Sequence, residues 1–336
     1  MRVSAVGGFI LVLATLPAFA GDYEDGVRLH ANKDYARAIS AFHKAAARGD
    51  PAAQAFLGLM YAEGQGVDRD FGRARSWYEK GAAQEDMVAQ YNLGLMVANG
   101  QGGARDYRQA ALWYEKAALQ GYAPAQSYLG YMYYNGQGVV QNYQQALRWC
   151  HAAAVQGNAP AQYNLGLMYA KGHGVAQDFQ QALSWYTKAA VQGNAVAQYS
   201  LGLMYARGDA APPDPKQAVS WYEKAAAQGY VLAQNNLALM YDNGDGVARD
   251  YRQALFWYEK AAAQGDTVAQ YNLGLMYAKG QGVARDFVEA HKWWTLAGAN
   301  GDRAARNNRQ ALEKLMKPQQ LAESQRRVNE WIHAHR

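Results

Sequence analysis

The stretch Gln162-Tyr-Asn-Leu-Gly-Leu-Met-Tyr169 recurs, with small changes, along most of this 336-residue chain. Successive copies are separated by a fixed period of 36 residues, and seven copies follow one another without a slip in spacing. Such a period is typical of stacked helical hairpins, because one hairpin cannot bury its apolar side alone and needs neighbours. The spacing therefore predicts an all-α solenoid of repeated helix pairs. The glutamine that opens each copy is found at Gln54, Gln90, Gln126, Gln162, Gln198, Gln234 and Gln270.

Each copy reads as two helices joined by a glycine-containing loop. Leu165 and Met168 share one helical face with Gln162, which predicts a first helix, here called helix A. The glycines of the following Gly-His-Gly-Val segment stop that helix, because glycine readily takes the positive φ values of a turn. Asp178 then stands where a helix N-cap is expected, and Gly193 stands where a helix ends. A second helix, helix B, is predicted between them, with a buried stripe at Phe179, Ala182, Trp185, Tyr186 and Ala189.

A glycine recurs in the middle of helix A, where it costs about 1 kcal/mol relative to alanine. Its repeated use predicts that helices A and B approach too closely there for a Cβ atom. The sixth copy differs, because it carries Ala238. The glycines are Gly58, Gly94, Gly130, Gly166, Gly202 and Gly274.

The repeated motif Ala161-Gln-Tyr-Asn-Leu-Gly-Leu-Met-Tyr169, with Trp185-Tyr186 and Gln192-Gly193 in helix B, resembles the Sel1-like repeat, a longer cousin of the tetratricopeptide repeat. The resemblance covers roughly residues 53–301. It implies a right-handed superhelix of antiparallel helix pairs whose A helices line a concave groove. It also implies an adaptor that holds proteins together, often in a bacterial envelope or in contact with a host.

The repeat also predicts how the chain is divided. Residues 53–301 hold the seven full copies, and residues 22–52 form a shorter first hairpin. Residues 302–336 follow as two further helices in which the repeat decays. An open array leaves apolar surface in water at both ends, so we interpret these flanking segments as N-terminal and C-terminal caps.

The first twenty residues have the pattern of a secretory signal peptide. Arg2 precedes an apolar run over residues 7–16, which is too short to span a bilayer, and Ala18 and Ala20 are small enough for a signal peptidase. We predict cleavage after Ala20. An uncleaved anchor or a buried helix is the alternative. Export predicts a protein of the periplasm, with secretion from the cell as a second destination.

Composition limits the class of partner. The net charge of +5 and the pI near 9.0 come from dispersed charges, not from a basic tract, so nucleic acid is not expected. A mean hydropathy of −0.41 and broken apolar runs predict a mature chain with no integral membrane segment. We expect a monomer that binds a protein or peptide of unknown identity.

Nothing in the sequence predicts an enzyme. The Gly-x-Gly loops lack the third glycine of a dinucleotide site and the Gly-Lys-Ser/Thr of a phosphate loop. The single cysteine, Cys150, is interpreted as a small buried hydrophobe rather than a reactive thiol. His333 and His335 lie in the terminal tail, and no metal or cofactor is assigned. A cell-wall enzyme acting on peptidoglycan or β-lactams remains the alternative, although the relatives linked to β-lactam hydrolysis rely on paired cysteines. The recurring aspartates are interpreted as helix caps: Asp70, Asp106, Asp178, Asp214, Asp250 and Asp286.

The positions that vary between copies are the candidates for binding. The residue after the opening glutamine is tyrosine in four copies, and the residue that ends helix A is basic in three. Tyrosine offers contact area at low entropic cost, and bases would suit an acidic segment. Packing between copies is the equal alternative for the tyrosines, and a solvated rim is the alternative for the bases. The candidate groove residues are Tyr91, Tyr131, Tyr163, Lys171, Tyr199, Arg207, Asn235, Tyr271 and Lys279.

Overall fold

The computed structural model describes residues 20–335, with side chains from residue 21 onward, and all regular secondary structure in this range is α-helical. The predicted all-α class is therefore confirmed. The predicted signal peptide, residues 1–20, lies outside the described residues apart from the backbone of Ala20. The helices are α1 (Ala20–Ala31), α2 (Tyr35–Ala47), α3 (Pro51–Glu63), α4 (Phe71–Ala83), α5 (Met87–Asn99), α6 (Tyr107–Leu119), α7 (Ala123–Asn135), α8 (Tyr143–Val155), α9 (Ala159–Lys171), α10 (Phe179–Val191), α11 (Ala195–Arg207), α12 (Pro215–Ala227), α13 (Val231–Asn243), α14 (Tyr251–Ala263), α15 (Thr267–Lys279), α16 (Phe287–Ala299), α17 (Arg303–Glu313) and α18 (Pro318–Ala334).

The chain divides into two compact units between Gln156 and Gly157. The N-terminal unit contains α1 to α8, and the C-terminal unit contains α9 to α18. Within each unit, each helix up to α17 packs on the next one along the chain, and α18 packs on α16. The A helices are α3, α5, α7, α9, α11, α13 and α15, and each is followed by its B helix.

The helix boundaries come from capping residues, as the sequence predicts. The Asp178 carboxylate accepts hydrogen bonds from the backbone N–H groups of Gln180 and Gln181 at 2.9 and 3.0 Å, which fixes the start of α10. Gly172, at φ +69°, ends α9 in the left-handed conformation. All six recurring aspartates cap a B helix, and Asn142 takes this role in the third copy.

The mid-helix glycines pack against the aromatic ring of helix B, which confirms the predicted close approach. A Cβ atom at Gly166 would lie 2.7 Å from the ring of Tyr186, far inside van der Waals contact. Gly94 would meet the ring of Tyr114 at 2.8 Å. In the third copy Cys150 replaces the aromatic residue, and its fully buried sulfur faces Gly130. Cys150 is therefore a buried packing residue, as predicted.

The opening glutamines form buried hydrogen-bonded links between helices. Gln198 accepts a hydrogen bond at 2.7 Å from Gln228, at the end of its own B helix. The Gln198 side chain also donates, at 3.0 Å, to the carbonyl of Ala190 in the preceding B helix. A buried amide that satisfies both its donor and its acceptor stabilises the stack, because leaving either unpaired would be costly. The link to the copy's own B helix recurs in all seven copies, and in the last one Asn300 is the donor, at 3.4 Å from Gln270.

The second glycine of the loop lies against the hairpin before it. A Cβ atom at Gly102 would lie 2.6 Å from the carbonyl oxygen of Phe71, the first residue of the preceding B helix. Close backbone approach explains this glycine, so the loop needs no bound phosphate to account for it. The fifth copy has Ala210 here, and the side-chain amide of Gln180 donates to its carbonyl.

Candidate functional site

The A helices carry apolar residues on the side that faces solvent as well as on the side that faces the core. In α11, Leu201 and Met204 are buried, while Tyr199 and Leu203 lie on the opposite side and are partly exposed. Leu239 of α13 is 43% exposed. A surface helix is normally polar on its outer side, so this pattern marks a surface that suits a partner. We call it the A face of the C-terminal unit, formed by Tyr163, Leu167, Val196, Tyr199, Leu203, Leu232, Leu239, Val268, Tyr271 and Leu275.

The B helices of the C-terminal unit carry more polar residues on their outer sides, although Val191 and Phe256 are 70% and 46% exposed there. In α10 the exposed residues include Gln180, Gln181, Ser184 and Lys188. The lysine lies over its neighbour Trp185, with the ammonium 3.9 Å from the ring centroid. This covered aromatic surface makes the B side of the C-terminal unit less suited to an apolar partner than the A face.

The predicted tyrosines of the C-terminal unit pack on neighbouring aromatic rings and remain partly exposed. Tyr163 stacks on Tyr186 with a centroid distance of 5.6 Å. Tyr199 contacts Tyr222 at 5.8 Å and Tyr230 at 5.1 Å, and so joins two successive hairpins. These contacts fit the packing interpretation, while the remaining exposure leaves one side of each ring on the A face.

Burial raises the pKa of Tyr222 to about 12, and it also raises the pKa of Tyr199. Both phenols are therefore protonated at neutral pH. Neutral hydroxyl groups can donate hydrogen bonds to the backbone carbonyls of a bound peptide. The two remaining predicted positions, Asn235 and Tyr271, have different surroundings. The Oδ1 atom of Asn235 is buried and accepts no hydrogen bond from residues 20–335. The backbone carbonyl of Tyr271 accepts from the Trp294 indole at 3.1 Å.

The N-terminal unit gathers its tyrosines into a cluster. The ring of Tyr91 contacts those of Tyr114, Tyr122 and Tyr128 at 5.3 to 5.8 Å, and Tyr131 is 47% exposed nearby on α7. Tyr128 stands where the sixth copy has Asn236, whose side chain donates to the Tyr222 hydroxyl at 3.3 Å.

Because position 128 is tyrosine and not asparagine, the contact here is between two rings and not a hydrogen bond. The rings of Tyr114 and Tyr128 stack at 5.4 Å. The buried Tyr114 hydroxyl has no hydrogen-bond partner in the described part of the chain.

The three predicted bases are exposed at the ends of α9, α11 and α15. Within residues 20–335, Lys171, Arg207 and Lys279 take part in no ion pair. Lys279 lies close enough to Asp242 to oppose the rise that burial causes in the pKa of that carboxyl group. Lys171 and Arg207 are therefore the bases best placed to attract an acidic partner.

The aliphatic part of the A face was not predicted from the sequence. Leu203, Leu232, Leu239 and Val268 were not among the predicted residues. A signal was available, because the repeated A helix has no consistently polar side.

The described residues offer little for catalysis. Burial raises the pKa of Cys150 to about 12, so its thiol is a poor nucleophile. No group of three or more His, Cys, Asp or Glu residues within 20–335 is arranged to hold a metal ion. No helix in this range is both long and apolar enough to cross a membrane.

Comparison with known proteins identifies the repeat. The family described as Sel1 repeat matches residues 19–50, 51–86, 88–122, 123–158, 159–194, 195–230, 231–266 and 267–302. These eight matches include the short first hairpin. No curated protein gives a match.

Two solved structures share this architecture. A Sel1 repeat protein from Oxalobacter formigenes is 37% identical, with a TM-score of 0.67 over 72% of this chain and 99% of that one. A protective antigen present in uropathogenic Escherichia coli strains, which has an SLR fold, is 30% identical, with a TM-score of 0.59 over 93% of this chain and 83% of that one. Sel1 repeat proteins are generally non-enzymatic scaffolds that bind protein partners. On the family match and these structures, the chain belongs to the Sel1 repeat family.

Proposed function

We propose that this protein is an exported, non-enzymatic scaffold that binds an acidic segment of a partner protein on the A face of its C-terminal unit. The observation that carries the proposal is the apolar outer side of the A helices, where Leu232 and Leu239 are 45% and 43% exposed. Exposed apolar residues of this kind, repeated from helix to helix, lose contact with water when a partner binds.

The charges beside the A face support an acidic partner. Lys171 and Arg207 end successive A helices and are exposed. A partner segment that placed carboxylates near these ends would gain charge-assisted hydrogen bonds, while its apolar side chains would contact Leu203 and Leu239.

Two observations support export. Residues 1–20 have the charge, apolar run and small residues of a signal peptide. One similar protein is described as a protective antigen of uropathogenic Escherichia coli, which suits a protein that meets a host. If the exported protein is released into the medium and not retained in the periplasm, its partner would be a protein of the host.

Site-specific photocrosslinking in the organism that makes the protein tests the binding surface. A photoreactive phenylalanine at Leu239 should give a discrete protein adduct, because this side chain lies on the A face. The same probe at Ser184, an exposed residue on the outer side of α10, is the matched control and should give none. Adding Lys171→Glu and Arg207→Glu should reduce the adduct at Leu239.

The proposal fails if adducts form equally at Leu239 and Ser184. It also fails if the charge reversal at Lys171 and Arg207 leaves the adduct at Leu239 unchanged. Export is tested separately by sequencing the N-terminus of the purified protein. A mature chain beginning at Gly21 supports export, and a chain beginning at Met1 contradicts cleavage.

A further inference from the structure

A second surface lies mainly on the B side of the N-terminal unit. It surrounds a surface depression of about 590 Å³ between α6 and α8. Leu119 and Glu115 come from α6, Tyr133 from α7, and Arg148 and Trp149 from α8. Val139 and Val140, from the loop before α8, also line it, together with Asn142 and Gln145. We call this depression the α6–α8 pocket.

Exposed apolar residues that depart from the repeat lie in this pocket, at Leu119 and Val140, and beside it on α6, at Leu112. Val140 is 88% exposed, where other copies have alanine, aspartate or proline. Leu119 is 70% exposed, where four full copies have alanine and two have valine. Leu112, two turns earlier on the same side of α6, is 59% exposed, where three copies have serine. The other copies act as internal controls, and they show that the fold does not need large apolar side chains at these positions.

The pocket also contains the carboxylate of Glu115, which lacks a hydrogen bond that its equivalents make in the fifth and sixth copies. In the fifth and sixth copies the glutamate equivalent to Glu115 accepts a hydrogen bond from a tyrosine eighteen residues later, as Glu223 does from Tyr241 at 3.2 Å. Glu115 and Tyr133 have the same spacing, but no hydrogen bond joins them. The carboxylate therefore stays available in the wall of the pocket.

Arg148 supplies the opposite charge. It stands where three copies have serine, and its guanidinium lies 5.4 Å from the ring centroid of Trp149. Among residues 20–335, neither Arg148 nor Glu115 belongs to an ion pair. A depression with a mixed polar and apolar lining, in which one carboxylate and one guanidinium have no ion-pair partner, favours ligands that bring both complementary charges, because a mismatched charge would be repelled or desolvated without compensation.

From this geometry we propose that the α6–α8 pocket binds a short peptide segment of a partner protein in which an aliphatic side chain is flanked by a basic and an acidic residue. The aliphatic side chain fills the depression against Leu119, Val140 and Trp149. The basic residue pairs with Glu115, and the acidic residue pairs with Arg148. This binding is independent of the A face, so the scaffold would hold two partner segments at separate places.

An array of short synthetic peptides tests the proposal on the full-length mature protein. Every peptide has a central leucine, and lysine, glutamate and alanine are permuted at the flanking positions. Peptides with lysine on one side and glutamate on the other should bind best. Replacing the central leucine by serine should weaken binding about tenfold or more, as expected for a buried anchor.

A matched triple variant, Leu112→Ser, Leu119→Ala and Val140→Ala, gives each position a residue found in other copies. All three side chains are exposed, so the melting temperature should be unchanged while peptide binding is lost. The charge exchange Glu115→Lys with Arg148→Glu should reverse the preferred order of lysine and glutamate. Leu239→Glu on the A face should leave binding intact.

Three outcomes overturn the proposal. The first is that no peptide with a central leucine binds, and the second is that the triple variant binds as well as the natural chain. The third is concentration-dependent self-association, measured by light scattering, that the triple variant abolishes, because a second copy of the chain would then be the occupant.

Discussion

The N-terminal and C-terminal units are built from the same helix pair but carry different chemistry on it. At the end of the full A helices the N-terminal unit has Glu63, Asn99 and Asn135, whereas the C-terminal unit has Lys171, Arg207, Asn243 and Lys279. The N-terminal unit instead gathers tyrosines around Tyr91 and places apolar residues on its B side, around the α6–α8 pocket.

What the two units share is the packing frame, and what differs between them lies on their surfaces. Gly94 against Tyr114 in one unit matches Gly166 against Tyr186 in the other, and buried glutamines link the helices in both. A frame that is repeated this strictly leaves the solvent-facing positions free to change, so the two units can bind different partners. The following predictions test the shared frame first and the difference second.

The largest effect is expected from overfilling the glycine contact. Gly166→Leu and Gly94→Leu should each lower the free energy of unfolding by about 3 kcal/mol or more, because even a Cβ atom would overlap the facing tyrosine ring. Thermal unfolding of the full-length protein measures the loss. Ala206→Leu, at an exposed position of α11, is the control and should change little. Unequal losses in the two units would argue against a common frame.

A smaller loss is expected from breaking the glutamine links. Gln198→Leu should cost about 1–3 kcal/mol, because it removes two buried hydrogen bonds, one accepted from the side-chain amide of Gln228 and one donated to the carbonyl of Ala190. Gln270→Leu should cost less, since its contacts to Asn300 and Ala262 are longer, at 3.4 and 3.3 Å. Chemical denaturation of both variants gives the comparison, and an equal cost would contradict the ranking.

The charge difference between the units should appear in binding. A glutamate-rich synthetic peptide should bind the natural chain, and Lys171→Glu with Arg207→Glu should weaken it about tenfold, with the loss shrinking as salt rises. Asn99→Glu with Asn135→Glu places two carboxylates at the same repeat position in the N-terminal unit, with half the change in net charge, and should have little effect. Equal weakening by both pairs would mean that net charge alone, and not the A face, attracts the peptide.

The smallest effect concerns pH. His291 is buried between α16, α17 and α18, where its ring contacts Ser324 at 2.8 Å and Glu313 at 3.2 Å. Burial lowers its pKa below 6.5; the neighbouring Arg309 also lowers the pKa, and Glu313 opposes the shift. The unfolded chain then binds the proton more readily, so stability falls as the pH drops through 6.5.

His43 in the N-terminal unit also has a lowered pKa, caused by burial and by Lys80. Melting temperatures measured from pH 7.5 to 5 should therefore fall less steeply in a His43→Gln, His291→Gln variant. His333→Gln, at an exposed position, is the control. An unchanged slope in the double variant would show that other groups dominate the acid response.

The sequence predicted the frame well because the repeat presents the same evidence seven times. A mid-helix glycine such as Gly166 has few explanations other than close packing, and an aspartate that recurs before six of the seven B helices indicates a cap. The tyrosines were harder to interpret, because position alone does not tell whether Tyr199 faces a neighbouring ring or solvent, and in the structure it does both. The α6–α8 pocket was not predictable, since it depends on the absence of a hydrogen bond between Glu115 and Tyr133, which the sequence does not reveal.

The glutamine links also determine how the chain loses its structure. The buried glutamines of α5, α7, α11, α13 and α15 each tie their helix to the B helices on both sides, so a hairpin inside a unit is held from two directions and a terminal hairpin from only one. Opening should therefore begin at the ends and move inward, and amide hydrogens should exchange most slowly in the middle hairpins of each unit. The longer contact of Gln270 to Asn300 makes α15 and α16 an early place for such fraying in the C-terminal unit.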